Sequence, residues 1–341
     1  MEIIIIFLVI TFLFLLSGFP VAFILSGISL LFALIGVTFG YFDYSFLMAF
    51  PNRLYGVMGN QNLLAVPLFI FMGLILEKTK IAENLIHDMN AMFNETDSGY
   101  AISVVVVGAL MAASTGIVGA SVVTLGLLTY PVLVKNGYSP SLASGTICAS
   151  GTLGQVIPPS LVLILLADVL SSSYQQAQLN MGVFSPETIT IADLFVGAIL
   201  FSLVFRGLEG EEFIHKLLVE LPNDKTLTLI IVLVIMFLLG FILDFIEITF
   251  IVIPLIGPAL FTLGFDPLWL GILIALVLQT SFITPPFGFS LFYLRGVLPR
   301  DVKTIEIYKG IIPFLIIQVI LMICVFTFPS LATFLPEMLL E

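Results

Sequence analysis

The sequence predicts an all-α integral membrane protein, on the basis of its composition, its long apolar segments and its interrupted helices. Of the 341 residues, 60% are hydrophobic and only 10% are charged, whereas a soluble globular domain carries roughly 25% charged residues. Apolar segments that approach or reach the roughly 20 residues needed to cross a bilayer recur along the whole chain. They include 3–16, 21–37, 63–76, 227–243 and 311–328.

The first apolar segment, 3–16, is predicted to be a retained span, because neither a basic n-region nor a small-residue cleavage site accompanies it. The net charge of −11 is attributed to solvated loop carboxylates. Cys148 and Cys324 lie in apolar segments and give no disulfide framework. Because His87 and His215 stand far apart in polar connectors, a metal site or a nucleophilic triad is not expected.

The distribution of lysine and arginine predicts the orientation, because these residues concentrate in cytoplasmic loops. Most of the 11 cations fall in three connectors, which we place in the cytoplasm. The N-terminus then lies outside, together with the polar segment 171–187, which contains no lysine or arginine. The cytoplasmic cations are Lys78, Lys80, Lys135, Arg295, Arg300, Lys303 and Lys309.

Two parts of the chain carry the same landmarks at a constant spacing of 127 residues. The segment Gly-Tyr-Ser-Pro at 137–140 corresponds to Gly-Phe-Asp-Pro at 264–267. A proline precedes each segment and a proline pair follows it. These are Pro131 and Pro258, and the pairs 158–159 and 285–286. Landmarks in one register predict a duplicated structural unit.

Small or polar residues interrupt the apolar stretches of each copy at corresponding positions, which is the sequence pattern of a transporter binding site. The interruptions are 112–119 and 150–155 in the first copy, and 240–247 and 279–284 in the second. We expect re-entrant hairpins at 101–134 and 226–261. Irregular backbone at membrane depth is tolerated only where protein or a water-filled cavity satisfies its hydrogen bonds. The interrupted helices would leave carbonyls and hydroxyls free for a cation and would direct helix N-termini at an anion.

Three segments resemble the large membrane subunit of tripartite ATP-independent periplasmic (TRAP) transporters. They read GALMAASTGIVGASVVTLGLL, GYSPSLASGTICASGTLGQVIPPS and LQTSFITPPFGFSLFYLRGV. A lesser likeness, in YQQAQLNMGVFSPET, is to the branch assigned to mannitol or chloroaromatic compounds. The resemblance implies an elevator-type importer of the bacterial inner membrane that is not an enzyme and has two inverted repeats. It also implies a small membrane subunit, a periplasmic binding protein that delivers an organic acid, and Na⁺ as the coupling ion.

The resemblance further implies a division of the chain into a scaffold, two transport repeats and their connections. We expect scaffold helices at 1–60, a first repeat at 61–170, an external loop with truncated linker helices at 171–225, a second repeat at 226–298 and a C-terminal helix at 299–341.

The residues that match the family's sites are hydroxyl, glycine, amide and carboxylate residues at the interruptions. Sodium is a hard cation, and such cations take oxygen ligands. The first sodium site would use Ser114, Thr115, Gly116, Ser150, Gly151 and Thr152. The second would use Gly240, Asp244, Glu247, Thr280, Thr284 and Pro285. The substrate would contact Ser150, Gln155, Gln279 and Ser281.

Three acidic residues within apolar segments are functional candidates, because a carboxylate at the bilayer centre costs roughly 2.5–3.5 kcal/mol on insertion scales. Asp244 and Glu247 are three residues apart and share one helical face. Alternatively, both lie near the mouth of the hairpin and contact water. Asp168 lies close to the outer end of its predicted span, where a structural role is favoured.

The chain departs from the family pattern near residue 200. The family's large subunit is usually longer, and the missing material would fall at 199–201. The predicted topology indicates the same problem. The segment 141–169 would end outside, so a span at 191–205 would return the chain to the inside. The second hairpin would then enter the membrane from the same side as the first, and the two repeats would be parallel rather than inverted. We therefore expect an internal deletion near residue 200.

Other readings of the sequence stay open. A sodium/dicarboxylate-type symporter that works without a binding protein is one, and an inactive truncated permease or a channel is another. An intramembrane aspartyl protease would use Asp168, Asp193 or Asp244, but the sequence context of such an enzyme surrounds none of them.

Overall fold

The computed structural model is helical, and the residues that it describes form no strand. It describes residues 2–15, 21–52, 98–115, 117–157, 160–181 and 224–334, with scattered positions at 17, between 55 and 89, and between 204 and 208. Contacts divide the chain into two units, which are considered in turn. The first unit comprises 1–64, 165–236 and 242–267, and the second comprises 65–164, 237–241 and 268–341.

Thirteen α-helices are found in the described part of the chain. In order, these helices are α1 Glu2–Leu15, α2 Val21–Phe39, α3 Tyr44–Met48, α4 Gly99–Thr115, α5 Val118–Lys135, α6 Pro140–Thr152, α7 Leu161–Asn180, α8 Lys225–Leu239, α9 Phe245–Glu247, α10 Ile253–Thr262, α11 Pro267–Ile283, α12 Phe289–Val297 and α13 Thr304–Thr327. A 3₁₀ turn, Leu153–Gln155, follows α6, and a π-helical turn, Ile248–Val252, joins α9 to α10. Within the described chain, α5 and α13 are long and apolar enough to cross a membrane.

In the first unit, the N-terminal helices α1 and α2 pack through aromatic rings. Phe7 and Phe32 meet edge to face, with their ring centroids 5.1 Å apart. The short helix α3 begins at Asp43, whose Oδ1 accepts a hydrogen bond from the Ser45 backbone N–H at 2.8 Å. That hydrogen bond lowers the pKa of the exposed Asp43 carboxyl below its ordinary value. The cap therefore fixes the start of α3.

The helices α7 and α10 also pack closely within the first unit. Tyr174 and Phe261 meet edge to face, with their ring centroids 5.5 Å apart. Near them, a Cβ atom on Gly257 would lie 2.9 Å from the Ser173 Cβ. Because that is closer than real Cβ atoms approach one another, α10 needs a glycine where it meets α7.

The helix boundaries recur at the spacing of 127 residues. Helix α5 covers 118–135, and the stretch from α9 to the end of α10 covers 245–262. Helix α6 begins at Pro140 and α11 begins at Pro267. Each proline is the first helical residue, where the missing backbone N–H removes no hydrogen bond.

The turns between these helices are alike in backbone conformation. Gly137 has φ = 87° and Gly264 has φ = 83°. Both values lie in the left-handed region, which glycine adopts without the steric cost that a Cβ imposes. The two turns are therefore built from the same residue type for the same reason.

In the second unit, α4 and α5 cover the segment 101–134, where a re-entrant hairpin is predicted; the re-entrant path stays a prediction. They span Gly99–Thr115 and Val118–Lys135, and the extended backbone of Ile117 begins the second helix. The predicted second pair, at 226–261, corresponds to α8 and the stretch 245–262. The contact-defined units divide the predicted repeat 226–298, and the predicted domain division stays a prediction.

Helix α13 packs against α6 with the two backbones in contact. A Cβ on Gly310 would lie 3.0 Å from the Gly145 backbone nitrogen and would overlap the Ser141 carbonyl oxygen. One turn earlier on α13, the Glu306 carboxylate accepts a hydrogen bond from the Ser141 hydroxyl. Small residues at this crossing permit the close approach that drives helix association in membranes.

Two buried hydrogen bonds join α13 to α11. Gln318 donates from Nε2 to the Gln279 Oε1 at 2.9 Å, and both side chains are buried. The Trp269 indole Nε1–H donates to the Val325 carbonyl oxygen at 2.8 Å. The C-terminal helix therefore packs as an integral part of the second unit, with polar bonds near its middle and near its end.

Replacing Gln318 with leucine is expected to destabilise the protein by about 1–2 kcal/mol, because the buried Gln279 Oε1 loses its donor. Thermal unfolding in detergent measures the change. In the Gln279→Leu/Gln318→Leu double variant both polar partners are gone, and we expect much of the stability to return. A single Gln318→Leu variant as stable as the wild type would contradict the prediction.

Candidate functional site

The C-terminal end of α6 is polar and fully buried. Ser150 donates from Oγ to the Thr146 carbonyl oxygen at 2.8 Å, and Thr152 donates from Oγ1 to the Ala149 carbonyl oxygen at 2.9 Å. Each hydroxyl oxygen keeps lone pairs for a further partner. The predicted residues Ser150, Gly151 and Thr152 thus form a consecutive buried group at a helix end.

Helices α4 and α5 lie against this helix end with little space between them. A Cβ on Gly108 of α4 would lie 2.9 Å from the Ser150 Oγ. A Cβ on Gly151 would lie 2.5 Å from the Val122 Cγ2 of α5. Glycines on both sides of the contact therefore permit the helix pair to approach the polar end of α6.

The 3₁₀ turn after α6 makes the closest contact with α4. A Cβ on Gly154 would overlap the Ala112 carbonyl group and would lie 2.5 Å from the Ala113 nitrogen. The backbone of the turn therefore rests directly on the backbone of α4, three residues before α4 ends. The geometry brings the end of α6 against the last turn of α4.

The other members of that predicted site lie outside what the structure describes. Ser114 and Thr115 are the last residues of α4, and their side chains are not described. Gly116 also lies outside the described residues, as does the first proline pair, 158–159. Their assignment to the sodium site stays a prediction.

Gln155 is a buried amide that is unpaired within the described structure. Its side chain is 2% exposed, and neither its Nε2 nor its Oε1 has a hydrogen-bond partner among the described residues. Its backbone carbonyl, in contrast, accepts a hydrogen bond from the Ser160 Oγ at 2.9 Å. Leaving a buried polar group unpaired costs roughly 1–3 kcal/mol. A group that bears this cost beside an interrupted helix is suited to bind a ligand with both a donor and an acceptor.

The C-terminal end of α11 carries a second group of hydroxyls, of which those of Thr280 and Ser281 are buried and that of Thr284 is partly buried. Thr280 donates to the Leu276 carbonyl oxygen at 2.6 Å, and Ser281 donates to the Leu278 carbonyl oxygen at 2.7 Å. Thr284 donates to the Thr280 carbonyl oxygen, also at 2.6 Å. This end of α11 therefore resembles the end of α6, with hydroxyls folded back onto the helix's own carbonyls.

The second proline pair interrupts the chain between α11 and α12. Pro285 and Pro286 have no backbone N–H to donate and leave carbonyls of the preceding turn without helical partners. The chain re-forms its hydrogen bonding when the Gly288 N–H donates to the Thr284 carbonyl oxygen at 2.9 Å. The Tyr308 hydroxyl donates to the Pro286 carbonyl oxygen at 3.3 Å. The predicted interruption at 285–286 is thus present in the structure.

Gly240 lies against the end of α11 within the second unit. A Cβ on Gly240 would lie 2.9 Å from the Ser281 Cβ and would overlap its hydroxyl. The break after α8 is therefore in contact with the polar end of α11. In the same way, the 3₁₀ turn Leu153–Gln155 is in contact with α4. Glycine at 240 permits this contact.

The amide of Gln279 is oriented by a residue that the sequence analysis did not select. Its Oε1 accepts from the Gln318 Nε2, so the Gln279 carbonyl group is directed to α13. A glutamine in the middle of an apolar segment was the sequence signal available for Gln318. Only the tertiary structure shows which residue it contacts.

Asp244 and Glu247 form a capping box at the start of α9, in the first unit. Asp244 Oδ1 accepts from the Phe245 N–H at 2.7 Å, and Glu247 Oε2 accepts from the Asp244 N–H at 3.2 Å. Asp244 is exposed and Glu247 is partly buried. The two carboxylates therefore begin the helix, and each keeps further acceptor capacity. The other members of the second predicted sodium site, Gly240, Thr280, Thr284 and Pro285, belong to the second unit.

Of the other acidic and histidine candidates, the structure describes Asp168 alone. Asp168 is buried in α7 and interacts with neighbouring groups. Asp193, His87 and His215 lie outside the described residues. Within the described ranges, no three His, Cys, Asp or Glu side chains are close enough to hold a metal ion together.

The sequence matches the family profile described as tripartite ATP-independent periplasmic transporter, DctM component. The match covers residues 8–186 and 186–331, nearly the whole chain. The chain belongs to this family. The family resemblance predicted from the three sequence segments is therefore confirmed, and so is the expectation that the protein is a membrane-embedded transporter subunit. TRAP large permeases work with a small membrane subunit and a periplasmic substrate-binding protein.

Several relatives in the TRAP family are similar to this chain over most of its length. A C4-dicarboxylate TRAP transporter large permease protein, DctM, of Vibrio cholerae is 23% identical over 83% of this chain and 87% of the relative. An ectoine TRAP transporter large permease protein, TeaC, of Halomonas elongata is 23% identical over 81% and 86%. A sialic acid TRAP transporter permease protein, SiaT, of Haemophilus influenzae is 21% identical over 82% and 60%. All three are transporter permeases and not enzymes.

Proposed function

We propose that this chain is the large permease subunit of a sodium-coupled importer in a bacterial inner membrane, which takes up an organic acid delivered by a periplasmic binding protein. The unpaired, buried amide of Gln155 beside the end of α6 carries the proposal. An amide N–H can donate to a carboxylate, while the amide oxygen can accept from a substrate hydroxyl. In a TRAP permease, an unpaired buried amide at this position is best explained as a group that binds the transported substrate.

Two clusters of hydroxyl and carbonyl oxygens support sodium as the coupling ion. One is at Ser150 and Thr152, and the other is at Thr280 and Thr284, each at the end of a helix. Carbonyl and hydroxyl oxygens suit a hard cation, and no thiol or imidazole is needed. Ser281 and Gln279, beside the second cluster, would complete the substrate site with Ser150.

The substrate class is proposed from the chemistry of the site and from the relatives. Relatives are named for C4-dicarboxylates, sialic acid and ectoine. We assign an organic acid, and within the family we place the chain in the mannitol or chloroaromatic branch from the segment YQQAQLNMGVFSPET.

We further propose that the two copies are inverted repeats of an elevator-type transporter. The constant spacing of 127 residues between helix ends, glycine turns and proline landmarks supports the duplication. In such a transporter, repeat-derived elements move against a fixed scaffold while they hold the substrate near the bilayer midplane.

The proposal includes an internal deletion near residue 200. Two observations support it. The two segments that match the family profile meet at residue 186. The alignment with the Vibrio cholerae relative runs over 396 positions, whereas this chain has 341 residues. That alignment therefore contains positions that this chain lacks. Resequencing of the gene, together with an uptake assay, tests whether the continuous chain is an active permease.

The decisive experiment is reconstitution with the partner proteins. The chain and its small subunit are placed in proteoliposomes with the binding protein, whose bound ligand is identified by mass spectrometry. Uptake of that ligand should need both an inward Na⁺ gradient and the binding protein. Uptake without the binding protein would favour a sodium/dicarboxylate-type symporter instead. No uptake under any condition, from a correctly folded complex, would favour an inactive truncated permease.

Replacing Asp244 with asparagine is expected to raise the Na⁺ concentration for half-maximal uptake about tenfold, the equivalent of about 1.4 kcal/mol in ion binding. Asparagine keeps the helix cap, because its side-chain oxygen accepts the same backbone hydrogen bond. Asp224→Asn is the matched control, since Asp224 also accepts from a backbone N–H at a helix start, that of Thr226 at 2.9 Å. Unchanged sodium activation in Asp244→Asn would remove Asp244 from the site.

A further inference from the structure

A cavity of about 560 Å³ lies in the second unit, where α5 ends and where α6 and α13 begin. Its α6 residue, Pro140, is at the opposite end of that helix from the interruption at 150–155. Its walls include Tyr130, Pro140 and Val302, and its charged groups are Asp301, Lys303 and Glu306. The volume is in the range of small-ligand sites. The proposed transport function uses none of these residues.

The cavity lies at the level of a membrane–water interface. It is bounded by the last turns of α5 and the first turn of α13, the two described helices that are long and apolar enough to span a membrane. Lys135 ends α5, and Lys303 immediately precedes α13. Lysines at the ends of spans mark the cytoplasmic side. Lipid headgroups of the cytoplasmic leaflet therefore lie at this depth.

One part of the cavity suits a primary ammonium group. Tyr130 is 5% exposed and lines the cavity, and its hydroxyl makes no hydrogen bond with the described residues. The carboxylates of Asp301 and Glu306 line the same space, and Glu306 also accepts from the Ser141 hydroxyl. A buried phenol and two carboxylates offer three oxygen acceptors, which match the three N–H donors of a primary ammonium.

The neighbouring part of the cavity suits a phosphate. Lys303 occupies the N-cap position of α13, and its side chain makes no capping hydrogen bond with the helix. The N–H groups of Thr304 and Ile305 therefore receive no cap from the Lys303 side chain, while the Glu306 N–H donates to the Lys303 carbonyl oxygen at 2.9 Å. The N-terminus of a helix attracts anions. The Lys303 ammonium adds a full positive charge at the same place. An anion and a cation are thus both accommodated within one cavity.

We propose that this cavity binds the zwitterionic headgroup of an aminophospholipid, with its primary ammonium between Tyr130, Asp301 and Glu306 and its phosphate at Lys303. The charge pattern selects phosphatidylethanolamine over phosphatidylcholine, whose methyl groups remove all three N–H donors. It also selects against phosphatidylglycerol, whose headgroup has no cation for the carboxylates. Bound lipid at this position would hold α5, α6 and α13 together at the cytoplasmic surface.

The test compares the retention of three lipids by the purified protein. The protein is incubated in detergent with equal amounts of dioleoyl phosphatidylethanolamine, phosphatidylcholine or phosphatidylglycerol, and the bound lipid is counted by native mass spectrometry. Wild-type protein should retain phosphatidylethanolamine about tenfold more strongly than either comparator, the effect of a lost hydrogen bond to a charged group. Equal retention of all three lipids would overturn the proposal.

Three variants locate the site. Asp301→Asn and Tyr130→Phe should each weaken phosphatidylethanolamine retention about tenfold, whereas Glu2→Gln should not change it, because Glu2 is exposed at the start of α1 and lies outside the cavity. Asp301 is exposed, so its variant should fold even if Tyr130→Phe does not. Wild-type retention in Asp301→Asn would overturn the proposal. Thermal stabilisation by free phosphoethanolamine, with no retention of the lipid, would overturn the assignment to a lipid.

Discussion

Gly154→Ala is expected to reduce sodium-driven uptake about 100-fold and to destabilise the protein by about 1–3 kcal/mol. The added methyl group would overlap the carbonyl of Ala112 and would lie 2.5 Å from the Ala113 nitrogen. Backbone atoms on both sides of this contact cannot rotate away as a side chain can. Either α4 or the 3₁₀ turn must therefore shift, and the shift separates the tip of the helix pair from the polar end of α6.

Gly296→Ala is the matched control for that variant. Gly296 also belongs to the second unit, and a Cβ there would meet no heavy atom within 4 Å. Alanine in the helix α12 should leave the protein as stable or slightly more stable, since glycine is a poor helix former. Uptake and thermal unfolding in detergent are measured for both variants. If Gly154→Ala has the same uptake rate and unfolding temperature as Gly296→Ala, the close contact between the turn and α4 is not required for transport or stability.

The sequence alone predicted the features that depend on local chemistry. Proline at the first helical position and glycine at a positive φ are local requirements, so the pattern at Gly137–Pro140 and Gly264–Pro267 located two helix turns correctly. The interruption at 285–286 followed from the missing N–H of proline. Family membership followed from the same segments, which carry these local signals at a fixed spacing.

The arrangement of side chains over long sequence distances could not be predicted in the same way. Gln279 and Gln318 are separated by 39 residues, and only packing of α11 against α13 makes them partners. The close approach of Gly154 to α4 likewise depends on how two helices cross. A polar residue in an apolar helix indicates that a partner exists, but the sequence does not name it.

Asp244 and Glu247 show a different limit of the sequence analysis. Their spacing of three residues fits a shared helical face, on which both could hold an ion. The same spacing also fits a capping box, and the structure contains the capping box. The same three-residue spacing therefore fits both a capping box and a pair of ion-binding carboxylates. Measuring the sodium dependence of uptake tests whether the carboxylates also bind the ion. The predicted sodium ligands Ser114, Thr115 and Gly116 are open to the same measurement.

Gly310→Ala is expected to cause a loss of stability of about 3 kcal/mol, the upper end of the cost of overpacking a tight contact. A Cβ on Gly310 would overlap the Ser141 carbonyl oxygen and approach the Gly145 nitrogen to 3.0 Å. Separation of α6 from α13 would also pull the Glu306 carboxylate from the Ser141 hydroxyl. Because α6 also carries Ser150, a displacement that begins at the crossing is passed along the helix to the candidate site.

Gly27→Ala is the control for this variant, since Gly27 lies inside the apolar helix α2 and a Cβ there would meet no heavy atom within 4 Å. Thermal unfolding in detergent should rank Gly310→Ala well below Gly27→Ala, and the latter close to the wild type. Sodium-driven uptake should fall in Gly310→Ala even where the protein stays folded, because α6 has moved. If stability falls while uptake per folded molecule is unchanged, the crossing supports the fold alone and does not position the end of α6.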